Sequence, residues 1–363
     1  MENMIDNMAK DESKSLYTYL RRDDLGEMKE LSEADLYIFS ILSYLKVEYF
    51  IDIGQEEAMI GDLSPLYPIT MYGKYDNRKK ALDFAVLLGK NKRYKDIRIF
   101  NFKSIKDDEK QLQFAALAID LPNGDIFVSY RGTDDTLTGW KEDANLSFLT
   151  EIPGERVALD YLNELMDRYP DKNFLLGGHS KGGLLAIYAA SKVDRYKQGR
   201  ISYVMDCDCP GFNRILYDDP GYQNIVHQIH TFIPEHSLIG LIYRKKQEVT
   251  IIASSGKSLY QHSEWTWNIV GDSLEHIKTF DSGEELNDGS MNRIMNKLTD
   301  KELQYFIDTV YDLIKEDNNK LGDLLTLAKI KKAIGNYKSL SEQDKTEMKN
   351  ILKTIALAVW KNR

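Results

Sequence analysis

One serine in the sequence lies between two glycines in a pattern that is typical of nucleophilic enzymes. Gly178-His179-Ser180-Lys181-Gly182 matches G-x-S-x-G, and it joins the apolar segment Phe174 to Leu176 to a second apolar segment with a helical pattern. A nucleophile elbow requires this order of strand, sharp turn and helix, because glycines permit a strained turn and close packing. We therefore predict that Ser180 is a nucleophile, the alternative being a small residue that only fills a turn.

A serine hydroxyl is a weak nucleophile at neutral pH, so a base, most often a histidine, must accept its proton. In the chain order serine, acid, histidine, the base lies in a loop well downstream of the serine. His262, in SLYQHSEWTWNIV, meets this requirement, although a hydrogen-bonded loop histidine near Trp265 and Trp267 would give the same pattern. The remaining histidines are His179, which is expected to point away from the elbow, His227 and His230, which fall in a predicted strand, and the weaker alternatives His236 and His276.

Two carboxylates could orient the histidine. Asp208 follows the predicted strand ISYVMD, and Glu235 follows the next strand along the chain, whereas Asp206 is expected to belong to the strand end. Both loops would lie at the carboxyl edge of a parallel sheet, where open α/β folds place their sites. We favour Asp208 as the acid and keep Glu235 as the alternative.

A tetrahedral intermediate also needs two hydrogen-bond donors for its oxyanion. The residue after the nucleophile normally supplies one backbone N–H, which here belongs to Lys181. The second is expected from FVSYRGTDDTLTGW, where Gly132 allows a sharp turn and Thr133 offers both an N–H and a hydroxyl. A Gly-Thr turn without a ligand is the alternative.

The elements that must hold these residues form an α/β pattern. QLQFAALAID and DIFVSYRG are predicted to be an antiparallel pair joined by a turn at Leu121 to Gly124. Helices and strands then alternate, which favours a sheet that is mostly parallel in its centre and flanked by helices. The predicted segments are helix Glu155 to Tyr169, strand Asn173 to Leu176, helix Gly182 to Ser191, and strands Ile201 to Met205, Ile225 to Ile233 and Glu248 to Ala253.

Capping patterns predict further helices near both ends of the chain. Ser32 and Asp35 form a capping box before an apolar helical stripe, and Thr299 and Glu302 form another. A last helix is predicted after Ser341. We predict one α/β domain over residues 1–274 and a helical C-terminal extension over residues 275–363 that packs on it.

Composition excludes several classes of protein. The 363 residues are 42% apolar and 29% charged, as in a globular protein, and the net charge of −9 argues against nucleic acid as a partner.

Cys207 and Cys209 are too close for an ordinary disulfide and too few for a zinc site, which indicates a reducing compartment. The acidic amino-terminal segment lacks a signal-peptide pattern and no apolar run could span a bilayer, so we expect a cytoplasmic protein. The chemistry above requires no metal or cofactor, and the oligomeric state is not predicted.

Two segments carry a resemblance to a known family. Tyr130-Arg131-Gly132-Thr133, followed by Trp140 and Asp143, resembles the FRGT region of class 3 (fungal-type) lipases, and GGHSKGG resembles their GHSLGG elbow. Over most of its length the chain is more similar to a bacterial family of lipase-like α/β-hydrolases of unassigned function. The resemblance implies an α/β-hydrolase-like fold with a C-terminal helical appendage, with Ser180 as nucleophile, His262 as base, and Thr133 and Lys181 at the oxyanion hole.

The chain departs from the class 3 pattern at the acid. Where those lipases have Gly-x-Pro it has Asp208-Cys209-Pro210, and where they have Asp-x-Val-Pro it has Thr231-Phe232-Ile233-Pro234. Pancreatic-type lipases take their acid from the strand after the nucleophile, which Asp208 resembles. We expect a serine hydrolase that cleaves an acyl ester or lipid; the alternative is a non-catalytic interaction protein on a hydrolase fold.

Overall fold

The computed structural model describes residues 12–45, 56–63, 77–134, 136–212, 216–237, 239–240, 242, 248–278, 297–314 and 334–360. Its centre is an eight-stranded sheet whose strands follow one another in chain order. The strands are β1 (Glu57–Met59), β2 (Arg98–Asp107), β3 (Leu112–Asp120), β4 (Ile126–Tyr130), β5 (Phe174–His179), β6 (Ile201–Cys207), β7 (Ile229–Pro234) and β8 (Val249–Ile252). Strands β1 to β4 pair antiparallel and β4 to β8 pair parallel, which confirms the predicted hairpin and the parallel centre.

Helices cover both faces of this sheet. Because β4 to β7 are neighbours in chain order, right-handed crossovers between them pass over one face. That face packs on α5 and α6, and the other packs on the N-terminal helix α2. The helices are α1 (Leu16–Leu20), α2 (Glu33–Leu42), α3 (Asn77–Lys90), α4 (Leu137–Asn145), α5 (Pro153–Arg168), α6 (Lys181–Lys192), α7 (Arg195–Gln198), α8 (Pro220–Ile225), α9 (Asp300–Ile314) and α10 (Glu342–Trp360).

Strand β5 shows why its sequence is apolar without alternation. Phe174 and Leu176 face the core under α5 and α6, whereas Leu175 faces the core under α2. All six residues of β5 are buried. A strand covered on both faces needs apolar or small side chains at every position.

The predicted strand Ile225 to Ile233 is wrong in its first half. Ile225 ends helix α8, residues Val226–Gln228 form a 3-10 turn, and the strand begins at Ile229. The helix starts because the side chain of Asp219 accepts the backbone N–H of Gly221 and Pro220 occupies the first helical position. His227 therefore lies in a helical turn, whereas His230 lies in the strand, as predicted.

The C-terminal helices pack on each other and on α4. Leu298, Leu303 and Ile351 form a small apolar cluster with Phe148 at its edge, and Lys141 of α4 pairs with Asp308 of α9. The predicted cap at Thr299 is present, since its hydroxyl accepts the backbone N–H of Glu302, and Ser341 accepts that of Asp344 in the same way. Residues 275–277 still hydrogen-bond to the edge of the sheet domain, and the boundary between residues 274 and 275 stays a prediction.

Within the described residues, no helix combines the length and apolar character needed to cross a membrane.

Candidate active site

The carboxyl ends of β5 and β6 bring two unusual backbone positions side by side. His179 pairs with Cys207 as the last residue of each strand, and the next residues are Ser180 and Asp208. Both have a φ of 57°, in the left-handed region that non-glycine residues rarely adopt. Such conformations are held by their surroundings and cluster at functional sites.

The glycines of the elbow serve close packing. A Cβ added to Gly182 would lie 2.1 Å from the carbonyl oxygen of Tyr130, and one added to Gly178 would lie 2.3 Å from the carbonyl carbon of Gly182. The positive φ belongs to Ser180 itself. The turn therefore seats the start of α6 directly against β4, as in a nucleophile elbow. With the mostly parallel sheet, this gives the chain an α/β-hydrolase-like fold.

Three predicted residues meet at this edge of the sheet. The hydroxyl of Ser180 lies 3.0 Å from Nε2 of His262, and Nδ1 of His262 lies 2.6 Å from Oδ2 of Asp208. The hydroxyl of Ser237 donates to the same Asp208 oxygen at 2.6 Å. Asp208 is fully buried, and these two donors compensate the loss of water around its charge.

The loop that carries His262 is fixed from two sides. His262 ends a 3-10 turn, Ser258–His262, whose Gln261 carbonyl accepts the indole N–H of Trp267 at 3.0 Å. Trp267 stacks on Tyr37 of α2 with ring centroids 5.1 Å apart. Nε2 of His179 lies 2.6 Å from the backbone carbonyl oxygen of His262. His179 therefore points away from the serine hydroxyl, as predicted, and holds the histidine loop instead.

The surroundings of His262 and His179 shift the pKa values of the two side chains in opposite directions. Burial alone would lower the pKa of His262, but the hydrogen bond to Asp208 and the charge of that carboxylate raise it above the ordinary histidine value. Burial lowers the pKa of His179 well below its ordinary value. Neutral His179 can then donate from Nε2 to the carbonyl of His262 and accept from the hydroxyl of Tyr44 at Nδ1, 2.9 Å away.

The predicted oxyanion segment lies against the elbow. A Cβ on Gly132 would be 2.5 Å from the carbonyl oxygen of His179 and 3.2 Å from Cβ of Ser180, so only glycine allows this approach. Thr133 donates its hydroxyl to Asp143 of α4 at 2.5 Å. Lys181 begins α6, and the first N–H groups of a helix lack intrahelical acceptors. Both segments can therefore present donors near Ser180.

The alternative candidates for the acid and the base contact other residues. The carboxylate of Glu235 is 3.9 Å from His236, and its backbone N–H donates to Ile252. His276 contacts Glu33 at 2.9 Å, and His230 stacks on Tyr203. Asp206 lies in β6 and accepts hydrogen bonds from Cys209 and Thr231. The structure thus places Asp208, and not Glu235, on the imidazole of His262.

Several contacts at the site were not predicted from the sequence. They involve Tyr44, Ser237, Gln113 and Glu142, of which the last two contact the side chain of Lys181. Each acts across a long stretch of chain, so no local pattern indicates it. Cys207 and Cys209 are buried and do not form a disulfide with each other. Among the ranges that the structure describes, no cluster of three His, Cys, Asp or Glu side chains could hold a metal ion.

Comparison with known proteins identifies the family. The sequence profile of the Mbeg1-like family matches residues 88–312, more than half of the chain, so the chain belongs to the Mbeg1-like family. No curated protein matches it significantly.

Solved structures of fungal lipases are similar to the chain at low sequence identity. A Rhizomucor miehei lipase in complex with its propeptide is 14% identical, with 69% of this chain and 73% of that chain covered and a TM-score of 0.38. A lipase from a fungal family with an unusual buried polar cluster is also 14% identical, with 72% and 91% covered and a TM-score of 0.43. A lipase from Yarrowia lipolytica is 11% identical, with 68% and 94% covered and a TM-score of 0.37.

Proposed function

We propose that this member of the Mbeg1-like family is a serine hydrolase that cleaves carboxylic esters. The observation that carries the proposal is the continuous contact from Ser180 through His262 to Asp208, with distances of 3.0 and 2.6 Å. Nucleophile, base and orienting acid have this arrangement in serine hydrolases of unrelated folds. A loop histidine with only a structural role would not need a strained serine on one ring nitrogen and a buried carboxylate on the other.

In the proposed reaction, His262 accepts the hydroxyl proton as Ser180 attacks the ester carbonyl. The negative charge on the carbonyl oxygen is stabilised by the backbone N–H groups of Lys181 and Thr133, since the Thr133 hydroxyl donates to Asp143. His262 then gives the proton to the leaving alcohol, and an acyl group remains on Ser180. Water attacks this acyl group with the same proton transfers in reverse order, which releases the acid and restores the serine. Asp208 stabilises the positive charge on His262 at each transfer.

We propose an apolar acyl ester or lipid as the substrate. The support is the resemblance of the segments around Thr133 and Ser180 to class 3 lipases. Trp140, on the helix that holds Thr133 through Asp143, is an exposed apolar side chain at 46%, and it follows the segment that carries this resemblance. The proposed chemistry needs no cofactor.

Hydrolysis of p-nitrophenyl esters from acetate to palmitate tests this function. We expect the wild-type chain to be active on at least part of the series, with Ser180→Ala reduced about 10⁶-fold in kcat. The variant keeps a small side chain in the elbow, so its circular dichroism spectrum should match that of the wild type. A folded wild-type chain that is inactive on the whole series, or an alanine variant at the wild-type rate, would contradict the proposal and favour a non-catalytic interaction protein.

A further inference from the structure

The residue that follows the proposed nucleophile is a lysine whose side chain is buried. Lys181 is 1% exposed, and its ammonium group lies 2.7 Å from Oε2 of Glu142, which is fully buried. It also donates to the backbone carbonyl and to the side-chain Oε1 of Gln113, each at 2.9 Å. Each of its three protons therefore has an acceptor.

Glu142 is equally well compensated. Its Oε2 accepts the backbone N–H of Gln113 at 3.0 Å, and its Oε1 accepts the backbone N–H of Gly154 at 2.7 Å. The carboxylate thereby connects strand β3, the start of α5 and, through Lys181, the start of α6. Helix α4, which carries Glu142, is thus fixed relative to the elbow.

The same group of residues holds the other proposed oxyanion donor. Asp143, next to Glu142 on α4, accepts the hydroxyl of Thr133 at 2.5 Å, and its Oδ1 lies 4.0 Å from the ammonium of Lys181. Oε1 of Gln113 accepts the backbone N–H of Asp134, the residue after Thr133, at 3.4 Å. The Lys181 side chain therefore contacts groups on both routes that hold the Thr133 loop.

A contribution to stability does not by itself explain the buried ion pair between Lys181 and Glu142. Removing two charges from water is expensive, and apolar residues of similar volume often replace a buried ion pair at no net loss of stability. The GHSLGG elbow that this segment resembles has an apolar leucine at the position of Lys181. A charged pair does, however, fix direction and distance, which apolar contacts do not.

We propose that the ion pair between Lys181 and Glu142 is a positioning device that fixes the distance between the two oxyanion donors, the backbone N–H groups of residues 181 and 133. This inference rests on the proposed function, because it assigns a role only if an oxyanion forms at this site. Lys181 then acts twice, because its N–H binds the oxyanion and its side chain fixes Gln113 and Glu142, which lie beside the loop that supplies the second donor.

The test compares two buried lysines of the same chain. The double variant Lys181→Met/Glu142→Gln removes both charges of the pair and keeps an amide oxygen at position 142 as an acceptor, and Glu142→Gln alone is a milder second variant. Lys141→Met is the matched control, because Lys141 is also buried and ion-paired, but to Asp308 of α9. The readouts are kcat and KM for the best ester of the series, and the inhibition constant of an alkylboronic acid, which forms a tetrahedral anionic adduct on a catalytic serine.

We expect kcat to fall about 10- to 100-fold in the double variant, less than the 10²- to 10³-fold loss on removing a whole oxyanion donor. KM should change little, and the inhibition constant should rise by the same factor as kcat/KM falls. Glu142→Gln should shift both quantities in the same direction by less, and Lys141→Met should shift neither.

Wild-type kcat and inhibition constant in the folded variants would overturn the inference while leaving the proposed function intact. An equal loss in the Lys141→Met control would also overturn it, since general loosening of α4 would then explain the effect. A wild-type chain without ester hydrolysis and without boronic acid inhibition would overturn the proposed function, and this inference with it.

Discussion

Two regions of the molecule differ in how well their backbone conformation agrees with local sequence preference. They are the C-terminal helices α9 and α10 and the carboxyl ends of β5 and β6. In the helices, residues adopt the conformation that their local sequence favours: Thr299 and Ser341 cap, and apolar residues such as Leu303 and Ile351 pack. At the strand ends, Ser180 and Asp208 adopt a backbone conformation that local preference disfavours.

The contacts differ in range as well. The caps of α9 and α10 join residues three positions apart, whereas Ser180 and His262 are 82 positions apart and Asp208 and His262 are 54 apart. Strained positions persist when the surrounding structure determines them. The strand ends therefore depend on the whole fold, and we expect substitutions there to change activity far more than stability, with the reverse in the C-terminal helices.

After Ser180→Ala, the largest expected effect is that of Asp208→Asn. The amide keeps the size of the side chain but removes the charge that orients and stabilises protonated His262, so we predict a decrease in kcat of about 10⁴-fold. Steady-state kinetics on a responsive ester would measure it. Glu235→Gln is the control, and because Glu235 lies beside His236 its kcat should stay at the wild-type value. The opposite ranking would move the acid to Glu235.

The pH profile of kcat/KM should also depend on Asp208. His262 must be neutral to accept the serine proton, so kcat/KM falls as the pH drops through its pKa. Since Asp208 raises that pKa, the acidic limb of the wild-type profile should lie above the ordinary histidine value of about 6.5. In Asp208→Asn the burial of the ring remains without this compensation, so the limb of the residual activity should move to lower pH. A limb that stays in place would show that Asp208 does not act on His262.

The smallest effect on activity is expected in the C-terminal helices. Leu303→Ala removes a buried side chain from the small cluster with Leu298 and Ile351, and we predict a loss of about 2 kcal/mol in local stability. Hydrogen exchange of the α9 amides would measure the loss. Its kcat/KM should equal that of the wild type, and a marked decrease would show that the cluster supports the site.

The sequence predicted those parts of the site that have a local signature. The elbow around Ser180 and the turn at Gly132 are marked by glycines, and the fold shows why: an added Cβ at Gly182 or Gly132 would meet backbone of another segment. The position of His262 followed from chain order. The main segments of the sheet were predicted because buried strands and amphipathic helices have different periodicities.

The rest depends on how distant segments meet. Asp208 and Glu235 both follow a strand of the parallel sheet, so the sequence does not distinguish them, whereas in the structure Asp208, at a positive φ, contacts His262. Ile225 and Val226 have the β-branched side chains that favour a strand, yet Asp219 caps a helix that ends at Ile225, and a 3-10 turn follows over Val226–Gln228. The ion pair of Lys181 with Glu142 joins residues 39 positions apart, and no pattern in either segment indicates it.

Covalent labelling tests the central claim most directly. A fluorophosphonate probe reacts with a serine only when a base activates it, and mass spectrometry of the peptides identifies the labelled residue. We predict a single adduct on Ser180, formed much more slowly in His262→Ala and absent from Ser180→Ala. An adduct on another serine, or a folded wild-type chain that does not react, would contradict the assignment of Ser180, His262 and Asp208 as a catalytic triad.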